Sequence, residues 1–543
     1  MDRASWIRKW QDGTATPSLP FLVSGALILV LSVVVLQRAA DQGGPKRLRH
    51  PIPGFNTLQF ISNNFKFMLR VQRAMQGETL IRLNLGPKAV YLVTGSEGIR
   101  TIFGRELVHS VTNQEQMTGF ALPTLYKMNA AEVQRWKQDK SGVTKVPIPG
   151  TDILPHERLW YNYEHIYSEY LSKPQHTKPL ISMFRQRFED VLKKYPTDWK
   201  SVSIRDFCRH EVAGTAVSVL FGPDLINLTP DFIDRFWNFD QHLFTLVLGF
   251  PRWINSKPYQ AHDHYTAAVE KWLEHASIDY DWQGNSETEW EPRFGARAVR
   301  ELYKWMKETH WRHEIIAATL GALAFALTTN SIPTTTWMLM EIISDPSLLK
   351  AVRAEIEAAK MTNTVTGNAI LDSQKLGSLP LLQSIWTETL RLRVNFNVTR
   401  DVKEAIVIDG HTIPAGSMIQ APMMVSHYNE TWGTTEHPAS EFWAERHIKY
   451  DSAGNRTYAM AGRNTSFFPF GGGANICPGR QFAKLEVLTT VALVVSRLEI
   501  EIQGWTTTDG KSSDRPAQSD LKYCGSGAMP PDRDLRVRWR CIS

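Results

Sequence analysis

A mainly α-helical body with a smaller β-rich lobe, carried by one N-terminal transmembrane helix, is the fold class that the hydrophobic patterning of these 543 residues predicts. Three stretches carry that expectation. Residues 19–36, "LPFLVSGALILVLSVVVL", run without a charge for close to the length that crosses a hydrocarbon core as a helix. From about Pro155 to Lys360 apolar residues recur mostly at three- and four-residue spacing, the period of helices that bury one face. Ahead of them, "TLIRLNLGPKAVYLVTG" places β-branched and aromatic residues on both sides of Gly86-Pro87, which reads as two short strands joined by a turn.

Taken in order, residues 1–18 form a lumenal segment and 19–36 a retained anchor. A cleaved signal needs a shorter apolar run and a small-residue cleavage site, whereas here Arg38 follows the run almost directly. Arg3, Arg8 and Lys9 precede the span and Arg38, Lys46, Arg47 and Arg49 follow it, so charge barely orients it. Residues 37–54 are a basic connector stiffened by Pro45, Pro51 and Pro53, and 55–543 are the folded body. Within the body, "KPLISMFRQRFEDVLKK" and "DPSLLKAVRAEIEAAK" read as helices, the second capped by Asp345 with Pro346 at its first position. "HLFTLVLGFPRWINSKPYQ" reads as a helix junction around Trp253, set against lipid, over a pocket, or as a buried helix end. "IVIDGHTIPAGSMIQ" is a hairpin turning at Asp409-Gly410, and "WTTTDGKSSDRPAQSD" a polar loop.

Composition narrows the function classes. With 43% hydrophobic and 21% charged residues the body is globular. The net charge of +6 comes from 61 basic and 55 acidic residues without a polybasic run, which suits docking to an acidic protein face and gives no sign of nucleic-acid binding. Four cysteines, at 208, 477, 524 and 541, lack the pairing of a disulfide framework or a structural zinc site.

One of them stands out. In "FPFGGGANICPGR", three glycines precede Cys477 and Pro-Gly follows it, so the backbone can turn sharply and approach something large and flat. A helical pattern with Phe482, Ala483 and Glu486 begins after Gly479, offering its positive end to a thiolate. Taken alone, a glycine-flanked cysteine is more often a structural core residue.

At this point the chain resembles the cytochrome P-450 family, whose cysteine loop runs Phe, two residues, Gly, one, Arg, one, Cys, one, Gly. Phe470, Gly473, Cys477 and Gly479 match, with Gly471 in the same turn, while Asn475 stands where a basic residue is usual. The family's Glu-x-x-Arg is met by Glu388 and Arg391 in "SIWTETLRLR", and the arginine that completes its cluster by Arg446 in "FWAERH", with Ala444 for proline and His447 for phenylalanine. The resemblance covers essentially the whole chain. It implies a mostly helical triangular body around one haem b, with Cys477 as axial ligand of the iron, Phe470, Gly471, Gly473 and Gly479 shaping the haem loop, and Glu388, Arg391 and Arg446 as structural partners.

On the distal side the family usually places an acid and a threonine over the iron. In "HEIIAATLGALAFALTTNSIPTTTWMLMEI" Asn330 takes the acid position and Ser331 the alcohol position, with Pro333 removing a backbone donor. The Asn-Ser-Ile-Pro run is similar to that of sterol 7α-hydroxylases and of prostacyclin synthase, which run different chemistries. The pair is assigned to proton delivery, against the alternative that Thr328, Thr329 and Asn330 merely satisfy carbonyls around the proline. Ala324, Leu327 and Thr328, with the C-terminal "GSGAMPP", are expected to line an apolar substrate pocket.

The resemblance therefore implies a haem-thiolate monooxygenase at the cytosolic face of the endoplasmic reticulum membrane. An NADPH-cytochrome reductase would feed it electrons, and it would oxidise a lipophilic, polycyclic terpenoid, steroid, polyketide or alkaloid in secondary metabolism. A reductase-independent isomerase or dehydratase acting on a peroxide is the second reading. A non-catalytic haem or ligand carrier is the third.

Overall fold

Short strands open the folded body. The computed structural model describes residues 44–362, 367, 369–460 and 462–542. The segment 1–18, the anchor 19–36 and the first residues of the connector lie outside the described residues. The connector's later residues Lys46 and Arg47 form β1 (Lys46–Arg47), paired parallel with β2 (Leu80–Leu85), which turns back antiparallel into β3 (Lys88–Val93). In β3 the side chains divide by the strand's period of two. Val90 and Leu92 pack with Phe67, Met68 and Val71 of α1 (Asn64–Ala74), while Tyr91 and Val93 join the main core on the other face.

The larger sheet has seven strands and is completed from the far end of the chain. With β4 (Val111–Thr112) at its side, β6 (Val394–Val402) pairs β7 (Met418–Pro422) and β10 (Ser526–Ala528), and the order is β1-β2-β3-β7-β6-β10. A second sheet sets β5 (Lys200–Ser203) against β11 (Arg533–Cys541), then β8 (Leu498–Thr507) and β9 (Ser512–Ser513). The stretch from Trp505, expected to be a polar loop, is thus partly a hairpin: Trp505 and Thr506 pair with Ser513 and Ser512. Polar alternation concealed an edge strand there. The other hairpin turns where the sequence placed it, with Asp409 and Gly410 both at positive φ between Ile406–Ile408 and His411–Ile413.

Helices supply most of the mass. They include α2 (Leu159–Ser172), α3 (Pro174–Lys193), α4 (Phe232–Val247), α5 (Lys257–Ser277) and α6 (His313–Ser344). After them come α7 (Pro346–Ile356), α8 (Pro380–Arg393) and α9 (Arg480–Arg497). Asp345 caps α7 as its sequence predicts, accepting hydrogen bonds from the amides of Ser347 at 2.8 Å and Leu348 at 3.1 Å. Among the described residues, α6 alone is long and apolar enough to cross a membrane, but it is mostly buried inside the body and packs against α5, α8 and α9. A helix apolar on every side belongs in such a core. The junction between α4 and α5 does the reverse: Phe250, Trp253 and Ile254 are exposed, Trp253 at 86%, which corrects the buried-helix-end reading.

Candidate active site

The cysteine loop owes its shape to glycines for two separate reasons. Gly471 and Gly473 sit in the left-handed region at φ +70° and +69°, where a side chain is strained. Gly472 is extended, but a Cβ there would lie 2.3 Å from the Phe103 ring, so that ring fills the space a side chain would need. The turn closes through the Cys477 amide, which donates to the Phe470 carbonyl at 3.0 Å, and the Phe470 ring stacks on Trp386. Further back, the Phe468 amide donates to Nε2 of the fully buried His427 at 3.2 Å, anchoring the loop's entrance. The Cys477 sulfur stands at the start of α9. Burial pushes its thiol up, against the amides of Gly479 and Arg480 and the charge of Arg480, which favour the thiolate.

Glu388, Arg391 and Arg446 come together as one buried cluster. Arg391 grips both Glu388 oxygens at 2.8 Å, and Arg446 Nε donates to Oε1 at 2.7 Å. The remaining guanidinium hydrogens are spent on carbonyls: Arg391 on His427, Arg446 on Trp432, Pro438 and Glu441. His447, the departure from the family's phenylalanine, brings Nε2 to 3.3 Å from Glu388. Burial alone would raise the Glu388 carboxyl, but Arg391, His447 and Arg446 outweigh it and hold it at about 2.

The distal helix divides its polar residues between two tasks. Thr328 and Ser331 hydroxyls donate back to the carbonyls of Ala324 and Leu327 at 2.8 and 2.7 Å. Thr329 donates instead to Asp240 on α4 at 2.8 Å, and Asn330 Oδ1 accepts from the Ala528 amide of β10 at 2.9 Å. Of the three residues in the carbonyl-satisfying alternative, only Thr328 behaves as that alternative expects. Asn330 does join α6 to the "GSGAMPP" segment, as a pocket built from both requires. A small apolar cavity lies farther toward the start of α6, between Phe239, Leu243, His262, Tyr265, Ala322 and Phe325; Ala324, Leu327 and Thr328 are not on its wall.

Two acids near this region escaped the sequence reading. Asp240, bonded to Thr329, is pushed up to about 6 by burial, with Thr329 and Arg209 pulling down. Glu486, read only as part of a helical pattern, is buried to 1% on α9 beside Ser331, and burial raises its carboxyl to about 8. The one signal for it was an acidic residue inside an otherwise apolar helix face. Because its ordinary value is 4.5, folding keeps a proton on Glu486 that the unfolded chain releases, so stability is full below about pH 4.5 and falls as pH rises toward about 8. The neutral isostere Glu486→Gln should lose that decline, a difference on the order of 5 kcal/mol across the full window, read from melting temperature against pH. Parallel profiles for the two proteins would contradict the buried neutral acid.

These residues fit a thiolate-ligated haem, a flat apolar ring with two carboxylates. Along the buried helix α6, Ala326 and Asn330 are exposed between the buried Ala324, Thr328 and Ser331, so a gap runs along that face. On β6, whose neighbouring residues are buried, Phe396 is 43% exposed. Beside the cysteine loop, a small polar cavity is lined by Arg400, Asn475 and Gly472, chemistry suited to a carboxylate.

Comparison with known proteins agrees with this geometry. A family model described as Cytochrome P-450 matches residues 45–514. The cytochrome P-450 monooxygenase calL of Penicillium decumbens is 40% identical over 534 residues, 97% of this chain and 99% of the relative. The cytochrome P-450 monooxygenase fsoE of Humicola fuscoatra is 27% identical over 92% of this chain and 89% of its own length. A cholesterol 7-alpha-monooxygenase of Cricetulus griseus is 25% identical over 66% of this chain and 69% of its own length.

Proposed function

The chain belongs to the cytochrome P-450 family and is a monooxygenase of that family, and from this premise we propose that it oxidises a lipophilic polycyclic molecule at a haem held by Cys477. The observation that carries the reading is the Cys477 sulfur at the head of α9, with the amides of Gly479 and Arg480 turned toward it behind a glycine-built loop. Bound there, a thiolate-ligated haem supplies dioxygen activation.

The chain's own residues have three tasks. Gly471, Gly473 and Gly479 would let the loop approach a haem closely, and Arg400 with Asn475 would hold one of its carboxylates. Glu388, Arg391 and Arg446 fix the segments on either side of His427, whose ring nitrogen holds the Phe468 amide. On the distal side Ser331 and the neutral Glu486 hold a proton within the body, and Asn330 orients water or substrate without ionising. Aromatic and apolar residues between α4, α5 and α6 suit a terpenoid, steroid, polyketide or alkaloid skeleton of the kind made in secondary metabolism. The likeness to a cholesterol monooxygenase supports a polycyclic choice.

We place the enzyme in the endoplasmic reticulum membrane, anchored by residues 19–36, with the body and its NADPH-cytochrome reductase in the cytosol. The exposed Phe250, Trp253 and Ile254 support a body that leans on the bilayer. Full-length protein should stay with microsomes through alkaline extraction. Those microsomes, given reductase and NADPH under labelled dioxygen, should add one labelled oxygen atom to a member of a polycyclic panel. The alternative rests on Asn330, an amide where the family has an acid: turnover of a hydroperoxide without reductase, NADPH or dioxygen would overturn the monooxygenase reading in favour of an isomerase or dehydratase.

A further inference from the structure

One residue lining the polar cavity beside the cysteine loop is already hydrogen-bonded to a carboxylate. Glu164 on α2 accepts from Nδ2 of Asn475 at 3.0 Å, and Asn475 lines that cavity with Arg400. Burial pushes the Glu164 carboxyl up, while the Asn475 hydrogen bond and the Arg400 charge pull it down. Arg400 in turn is depressed by its own burial, with Glu164 and Asp401 opposing. The loop position that is basic in the family is an amide here, which leaves Arg400 as the cation among the cavity's lining residues. A haem carboxylate entering this cavity would meet an Asn475 amide that Glu164 already uses. Two ionised carboxylates sharing one amide repel each other.

We propose that Glu164 is a haem-positioning residue that competes with a haem carboxylate for Asn475, and so limits how firmly this chain retains its haem. The inference rests on the reading that haem is bound at Cys477. It extends that reading to a group on a different helix, and it gives the exchange of a basic residue for Asn475 a consequence: the amide is occupied from inside the protein.

The test compares purified ferric holoprotein with its Glu164→Gln form at pH 8. Glutamine keeps an oxygen for the Asn475 hydrogen bond and removes the charge. Transfer of haem to excess apomyoglobin should slow about fivefold in the variant, the ratio one screened charge contact of ordinary size gives. The midpoint potential of the iron should move positive, because an anion that favours the ferric state is gone. Asn475→Arg, which adds a cation facing the same carboxylate, should also slow haem transfer. Unchanged or faster transfer from the glutamine form, with an unchanged potential, overturns the inference while leaving the haem assignment intact. A wild-type protein that binds no haem overturns both.

Discussion

Replacing Glu388 with alanine is expected to destabilise the folded body by about 3–5 kcal/mol, the cost of leaving two buried guanidinium groups without their anion. Arg391 is fully buried, and Arg446 nearly so. Neither can turn to water without undoing the carbonyl contacts that pin His427, Trp432, Pro438 and Glu441. The damage should therefore reach the cysteine loop, whose entrance hangs on His427. Urea unfolding should show a lower midpoint, and the variant should be recovered with little bound haem. The same cluster sets an acid limit. Glu388 is held at about 2 against an ordinary 4.5, so its stabilisation is complete above about pH 4.5 and is lost as pH falls toward 2. A Glu388→Ala protein that unfolds at the wild-type urea concentration would contradict this account.

Replacing Cys477 with alanine is expected to abolish oxygenation while leaving the polypeptide folded. No other cysteine can take over. Cys208 is fully buried, Cys524 is buried against Asn395 and Asn64, and the Cys541 thiol donates to the carbonyls of Leu192 and Tyr195 on the far sheet. Since the loop is shaped by Gly471, Gly473 and the Phe103 ring, losing one half-buried thiol leaves its backbone path in place. Circular dichroism should be unchanged, and product formation should fall to background. Retained turnover would move the chemistry elsewhere in the molecule.

Much of this arrangement was legible in the chain because it is local or rigidly spaced. The Asp345 cap, the Asp409-Gly410 turn and the paired strands around Gly86-Pro87 depend on neighbours within a few residues, and each stands where its sequence put it. The cluster of Glu388, Arg391 and Arg446 was legible through spacing and company rather than residue type. What stayed hidden depends on contacts across 89 to 311 positions. Nothing local says that Asn330 would bond the Ala528 amide, that Thr329 would face Asp240, or that Asn475 would be taken by Glu164. Gly472 is instructive: its need for a missing side chain comes from Phe103, a residue far earlier in the chain. The short strand Ser512–Ser513 was lost in polar residues because an edge strand exposes both faces to water, and polarity alone then reads as a loop.

The central claim is that the Cys477 sulfur, as thiolate, ligates a haem iron, and the carbon-monoxide spectrum of the reduced, purified full-length protein tests it most directly. The account predicts a strongly red-shifted Soret band in the wild type, the signature of a thiolate opposite carbon monoxide, and its absence in Cys477→Ala. A wild type that carries no haem, or an alanine variant with the same shifted band, would contradict it.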